Sequence, residues 1–206
     1  MKLKTILVAA LLTVSTLSVY SQSKLSLGFE AGINIANTNQ TPSTSFGSKM
    51  GFIIGGVLDA PITPTFSIAP GIRFITKGNA YSGADGTITN NASVIEIDAL
   101  VKVKFPLTEI KPYLFAGPNL GFIMSVNSTQ TPTGGTSQTY DVSSNFETID
   151  FGLMFGGGLD FKLTPTMDLF GQFGYSLGLS NIQKNNPAST TKTTGIQMTT
   201  GLRFKL

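Results

Sequence analysis

Residues 92–105 read ASVIEIDALVKVKF. Ile95, Ile97, Ala99, Val101, Val103 and Phe105 are apolar, while Glu96, Asp98, Lys102 and Lys104 fall between them, so the period is two and the stretch predicts a β-strand. Seven other segments alternate in the same way, at 24–35, 52–60, 66–77, 113–124, 150–162, 168–179 and 197–206. Tight turns at Pro61-Ile62-Thr63-Pro64, after Pro106 and at Thr164-Pro165-Thr166 separate three pairs of strands. Polar segments at 36–48, 78–91, 125–145 and 180–192 separate the others, and 125–145 is too poor in apolar residues to pack a core. Pro70 and Pro118 sit inside predicted strands, where a missing N–H implies a bulge or an unpaired position at the first and a bulge at the second.

Eight strands joined by strictly alternating long and short connections predict an all-β fold, an antiparallel up-and-down transmembrane β-barrel. Short turns would then face the periplasm and long loops the exterior, with both termini on the periplasmic side. Sorting by pleat supports lipid outside and charge inside. The polar faces hold Glu30, Asp59, Glu96, Asp98, Asp150, Asp160 and Asp168 together with Arg73, Lys77, Lys102, Lys104, Lys162, Arg203 and Lys205. Seven acids meet seven bases, as a narrow lumen needs, because an unpaired buried charge is costly. Inward glycines such as Gly28, Gly117, Gly152 and Gly158 leave room for the long side chains. Phe66, Phe105, Phe161 and Phe204 are expected near the short-turn end and Phe52, Phe74, Phe122, Phe151 and Tyr175 towards the other, as two interfacial girdles. By the same pleat, an arginine is expected to do more harm at Val101 than at Ser67. A secreted lipocalin-like ligand-binding barrel is the second fold reading, and it would need the opposite pleat, with apolar residues inside.

The opening MKLKTILVAALLTVSTLSVYSQ has Lys2 and Lys4, a short apolar run and small residues at Val19 and Ser21, the pattern of a secretory signal peptide. Residues 1–21 are read as the signal and 22–206 as one barrel domain, with cleavage after Ser21. Of 14 basic residues, removal of Lys2 and Lys4 leaves 12 against 11 acidic ones. That near-neutral balance, without a basic cluster, excludes a nucleic-acid binder. With no Cys and no His, disulfides, thiolate metal sites and the commonest general base are absent. No apolar run after the signal approaches the length of a membrane helix, so a spanning chain must close into a barrel.

The strand motifs IEIDALVKVKF, KPYLFAGPNLGF, FGLMFGGGLDFK, YSLGLSNI and the closing TGLRFKL resemble the PorT-like family of eight-stranded outer-membrane β-barrels over nearly the whole chain after the signal. The resemblance implies a multi-pass protein of a Gram-negative outer membrane, in contact with outer-membrane lipid and inserted by the barrel assembly machinery. Gly201, Phe204 and Leu206 in TTGLRFKL are similar to the carboxy-terminal signal that machinery reads. The name-giving member serves a secretion system, which makes envelope proteins possible partners and membership of a secretion or assembly machine an alternative to a non-enzymatic structural or interaction role.

Enzymes known on such barrels resemble one another in using His with Ser or Asp, and none is available here. Glu96 and Asp98 share a face, but a structural lumen charge network of Glu30, Asp59, Arg73, Glu96, Asp98, Lys102, Lys104, Asp160, Lys162 and Arg203 accounts for them more simply. Gly156-Gly157-Gly158 lacks the helix and Lys-Ser/Thr of a phosphate loop, and Asp85 and Asp141 lack calcium spacing. The expectation is no catalytic residue, no metal and no cofactor.

Overall fold

The computed structural model describes residues 25–41, 46–105, 109–184 and 189–206. The signal peptide, its cleavage site and Pro106 lie outside the described residues. Among the described residues there are nine strands: β1 (Ser26–Thr41), β2 (Gly47–Pro61), β3 (Phe66–Gly83), β4 (Gly86–Lys104), β5 (Ile110–Pro132), β6 (Gln138–Asp141), β7 (Ile149–Lys162), β8 (Met167–Gly178) and β9 (Thr190–Lys205). All pairings are antiparallel, and the order runs β4-β3-β2-β1-β9-β8-β7-β5-β6 with β4 also paired to β5. Eight strands therefore close into a ring, while β6 pairs only with β5, from Asn127↔Asp141 to Gln130↔Gln138. Closure leaves no open edge in the ring, so its backbone groups are satisfied without water.

The pleat puts charge inside. On β4, Val94, Glu96, Asp98, Leu100 and Lys102 are buried, whereas Ile97 and Val101 are 45% and 50% exposed. Phe29, Ile54, Ile72, Leu114 and Phe173 likewise face outwards beside inward Glu30, Gly55, Arg73, Tyr113 and Gln172. An outer surface of this kind suits hydrocarbon, and it is the inverse of the pleat a lipocalin-like barrel requires. Phe66, Phe105 and Phe204 are exposed at the short-turn end, Phe161 is half-buried there, and Phe52 and Phe151 are exposed higher up. Phe52 stacks on half-buried Phe74 at 5.6 Å.

Three expectations need correction. The long connections are largely strand: β1 runs on to Thr41, β9 starts at Thr190, and β3 and β4 form one hairpin closed at Gly83↔Gly86. Gly86, with φ of 143°, takes a backbone conformation there that other residues rarely adopt. Within 125–145, β5 continues to Pro132 and β6 folds back on it. These hairpin tops carry mostly polar side chains on both faces, so no hydropathy period betrays them, yet their threonines favour extended backbone and their ladders satisfy it.

The prolines are the second correction. Register is unbroken through Pro70 and Pro118, which pair with Ala99 and Leu153. Pairs are instead missing on the other side of each, between 57↔71 and 60↔68 and between 98↔119 and 101↔116. Each proline is thus an unpaired position rather than a bulge. Register does shift elsewhere, between Ser48 and Ile53 on β2 and between Ser93 and Val94 on β4. At the second shift β5 carries one extra residue, Met124, 62% exposed, and the inward parity changes from Tyr113, Phe115 and Asn119 below it to Val126 and Ser128 above.

Ser67 is the third. It is only 1% exposed and pairs in register with Lys102, so an arginine there meets a cation in a full lumen. Val101→Arg places a charge in the lipid-facing band and should cost about 2–4 kcal/mol near the membrane midplane. Both variants are expected to lose the compact, heat-modifiable band in gels, whereas Thr139→Arg on exposed β6 keeps it; retention by Val101→Arg would mean that this face does not meet lipid.

Candidate functional site

Because β3, β4 and β9 present their inward positions at the same levels, their charged side chains meet in the lumen. At the hairpin end Lys77 Nζ lies 3.1 Å from Asp150 and 2.8 Å from Glu96. Arg73 continues downwards, 3.1 Å from Glu96, 2.6 Å from Asp98 and 3.7 Å from Glu30. A second group follows: Asp59 accepts from Lys104 at 2.8 Å and from Arg203, which also reaches Asp160, and Lys102 stands 3.8 Å from Asp59. Lys205 and Asp168 pair at 2.8 Å. Lys102 and Arg203 also lie over aromatic rings, at 4.8 Å from the Tyr113 centroid and 4.7 Å from that of Phe170.

Neutral groups complete the shell. Gln197 accepts from Arg73 at 3.1 Å, Thr199 and Gln172 donate to Glu30 at 3.1 and 3.3 Å, and Thr193 donates to Asp150 at 2.7 Å. Glycines make the close approach possible. A Cβ at Gly28 would run into Arg203, one at Gly158 into the Tyr113 ring, and one at Gly71 would lie 2.9 Å from an Asp98 oxygen.

Of the residues singled out in the sequence, Glu30, Asp59, Arg73, Glu96, Asp98, Lys102, Asp160 and Arg203 are buried in this cluster, and half-buried Lys104 joins it through Asp59. Lys162 does not. It is exposed beside the β7–β8 turn and has no ion pair among the described residues, because the last inward position of β7 is Asp160 and the register partner of Lys162, Asp168, bonds Lys205 instead. Gly201 faces inwards against Phe170, while Phe204 on the outside of β9 and Leu206 just past its end are 43% and 66% exposed. Met154 and Phe170, each 1% exposed, help fill the lumen and escaped sequence reading because they are apolar residues on the inner face. The signal that could have found them is their phase, shared with Asp150 and Asp160 on β7 and with Asp168 on β8.

Glu96 and Asp98 both end on Arg73 and are 0% and 4% exposed, so no substrate reaches that carboxylate pair. Among the described residues no three His, Asp or Glu side chains are grouped to hold a metal ion. Above Lys77 the barrel opens into a cavity of about 60 Å³ whose floor includes Lys77, Asp150 and Thr193 and whose wall includes Phe146 and Ile182.

Residues 20–184 match the family described as outer membrane protein beta-barrel domain. The chain belongs to that family. No curated protein matches its sequence. Among solved structures, this outer-membrane barrel is similar to Neisserial surface protein A, with 18% identity, a TM-score of 0.53 and coverage of 88% of this chain and 97% of that one. It is also similar to OprG from Pseudomonas aeruginosa, at 11% identity and a TM-score of 0.53, covering 91% and 99%. A major outer membrane protein from Thermus thermophilus matches at 14% identity and a TM-score of 0.54, covering 90% and 100%. These likenesses establish the fold. The strand β9 that closes the ring lies beyond the family match, and it contributes Arg203, Gln197 and Thr199 to the lumen.

Arg73→Ala would leave Glu30, Glu96 and Asp98 buried around an empty position without their shared cation. A loss of about 3–5 kcal/mol is expected, as for breaking other buried pairs, read from urea unfolding in lipid vesicles. Combining Arg73→Gln with Asp98→Asn should cost less than the two singly summed; strict additivity would dissolve the claim that the two side chains act together.

Proposed function

We infer that this member of the family is a non-enzymatic integral outer-membrane protein that holds a rigid, closed barrel and displays its long hairpins for interaction outside the cell. The observation that carries this reading is the lumen itself. Arg73, Lys102, Tyr113, Met154, Phe170 and Gln197 are all fully buried across the barrel, which leaves no continuous water path for transport. Resources of sequence are concentrated instead on the hairpins: β3, β4 and β5 have 18, 19 and 23 residues, against 14 and 12 for β7 and β8. In this reading the signal peptide directs export, the barrel assembly machinery inserts the chain on reading Gly201, Phe204 and Leu206, the termini and short turns face the periplasm, and outer-membrane lipid surrounds the apolar band. The resemblance of IEIDALVKVKF and KPYLFAGPNLGF to PorT-like barrels supports placing the chain in that branch, and with it a second reading as a subunit of a secretion or assembly machine.

The chain has no cysteine, so single-cysteine variants report topology cleanly. Thr136→Cys, in the exposed β5–β6 connection, should react with a membrane-impermeant maleimide on intact cells, and Thr164→Cys, in the β7–β8 turn, only after the outer membrane is breached. The opposite order would invert the proposed orientation. Copurification of a stoichiometric envelope protein after mild detergent extraction would favour the second reading over the first.

A further inference from the structure

The hairpin tops of β3, β4, β5 and β6 form a continuous sheet above the lumen, and register places its inner-face side chains in rows. Tyr81 pairs with Ile88, Ile88 with Gln130, and Gln130 with Gln138. One step lower, Asn79 pairs with Asn90, Asn90 with Ser128, and Ser128 with Tyr140. Register partners in an antiparallel sheet share a face. That face is the inner one, since Asn79 and Ser128 are buried on the lumen side while Tyr81 and Tyr140 remain 45% and 47% exposed.

The lower row is already organised. Asn90 donates to Asn79 at 2.8 Å, and Asn79 donates to Thr38 at 2.6 Å. Phe46 meets the Tyr81 ring edge-on at 6.4 Å and extends the aromatic edge of the upper row. Asn79 and Asn90 also line the cavity above Lys77, so the face and the cavity form one concave surface. None of the eight residues in the two rows is charged. Asp141 lies on the opposite face, in register with Asn127, and the lysine at the cavity floor is already held by Glu96 and Asp150.

We propose that this concave hairpin face is a binding site for a neutral oligosaccharide presented from outside the cell. A pyranose ring has an apolar C–H side and a rim of hydroxyls. Exposed tyrosine rings offer a matching apolar face at low entropy cost. Side-chain amides each carry a donor pair and an acceptor, the combination adjacent hydroxyls require. Lack of net charge on the face selects against sulfated or uronic-acid glycans, which an unpaired Lys or Arg would be needed to neutralise. The proposal rests on the outward orientation inferred above, and its test separates the two.

The full-length mature protein in lipid nanodiscs would be passed over an array carrying maltohexaose, chitotetraose, a mannose pentasaccharide and, as the charged comparison, a heparin hexasaccharide. At least one neutral glycan should be retained, and the double variant Tyr81→Ala/Tyr140→Ala should weaken it by about tenfold or more, while Thr139→Ala on the opposite face leaves it unchanged. Gln130→Ala, which removes an amide without touching the aromatic pair, should weaken binding as well and serves if the double variant loses its compact band. Retention of no neutral glycan, retention of the heparin hexasaccharide alone, or retention by the tyrosine and Gln130 variants as strong as by the unchanged protein would each overturn the site. Intact cells exposed to the biotinylated glycan form the second arm: binding in nanodiscs with none on cells would overturn the orientation and leave the site standing.

Discussion

An eight-stranded ring is narrow enough for side chains to fill, so the ions buried in its lumen depend on protein partners. That constraint governs most of what is seen here. Asp59 gathers three cations, Arg73 touches three carboxylates, and Lys77 bridges Glu96 to Asp150. Each group draws its members from strands far apart in the chain. Lys104 and Arg203 meet at Asp59 across 144 residues of sequence in the longer case, which ties the closing strand to the second one past the first strand that lies between them.

The same narrowness explains the glycines and the inner aromatics. A long side chain crossing the lumen needs a bare backbone opposite it, and Gly28, Gly71, Gly158 and Gly201 provide this for Arg203, Asp98, Tyr113 and Phe170. Tyr113 and Phe170 in turn give Lys102 a π-face where a carboxylate is no closer than 3.8 Å. Charge pairing, ring contacts and missing side chains are therefore one packing solution rather than three. Above the lumen the constraint lifts, and the inner faces change from ions to amides, hydroxyls and tyrosines.

Wherever one face of a strand met lipid and the other met the lumen, the chemistry of the two environments differed enough for alternation to be read directly. Val101 beside Lys102 and Phe29 beside Glu30 are such cases, and the closed eight-stranded ring follows from eight of them. The reading failed where both faces of a strand carry polar side chains. Thr129 and Ser128 are both polar, so β5 seemed to end before residue 125, although its ladder with β4 continues to Gly86↔Pro132. It failed again at Met154 and Phe170, because hydropathy cannot distinguish an apolar residue facing lipid from one stacked under a guanidinium. Lys162 shows the converse: its parity looked plausible by extrapolation, but the strand leaves the lumen one residue earlier, after Asp160. The prolines were visible, yet whether one bends a strand or only forfeits a ladder pair depends on the neighbouring strands.

The two register shifts, on β2 above Ile53 and between β4 and β5 near Met124, sit at the boundary between the ionic lumen and the hairpin tops. Each absorbs an offset of one residue between what lies below and what lies above. Below them, a single insertion would turn the ions of the strand that carries it towards lipid. Above them, the alternation no longer has to agree with that of the barrel, and the hairpins are free to change length and composition as exchangeable parts on a fixed socket. Diversification of this protein's exposed surface can therefore proceed without renegotiating the wall that keeps it in the membrane.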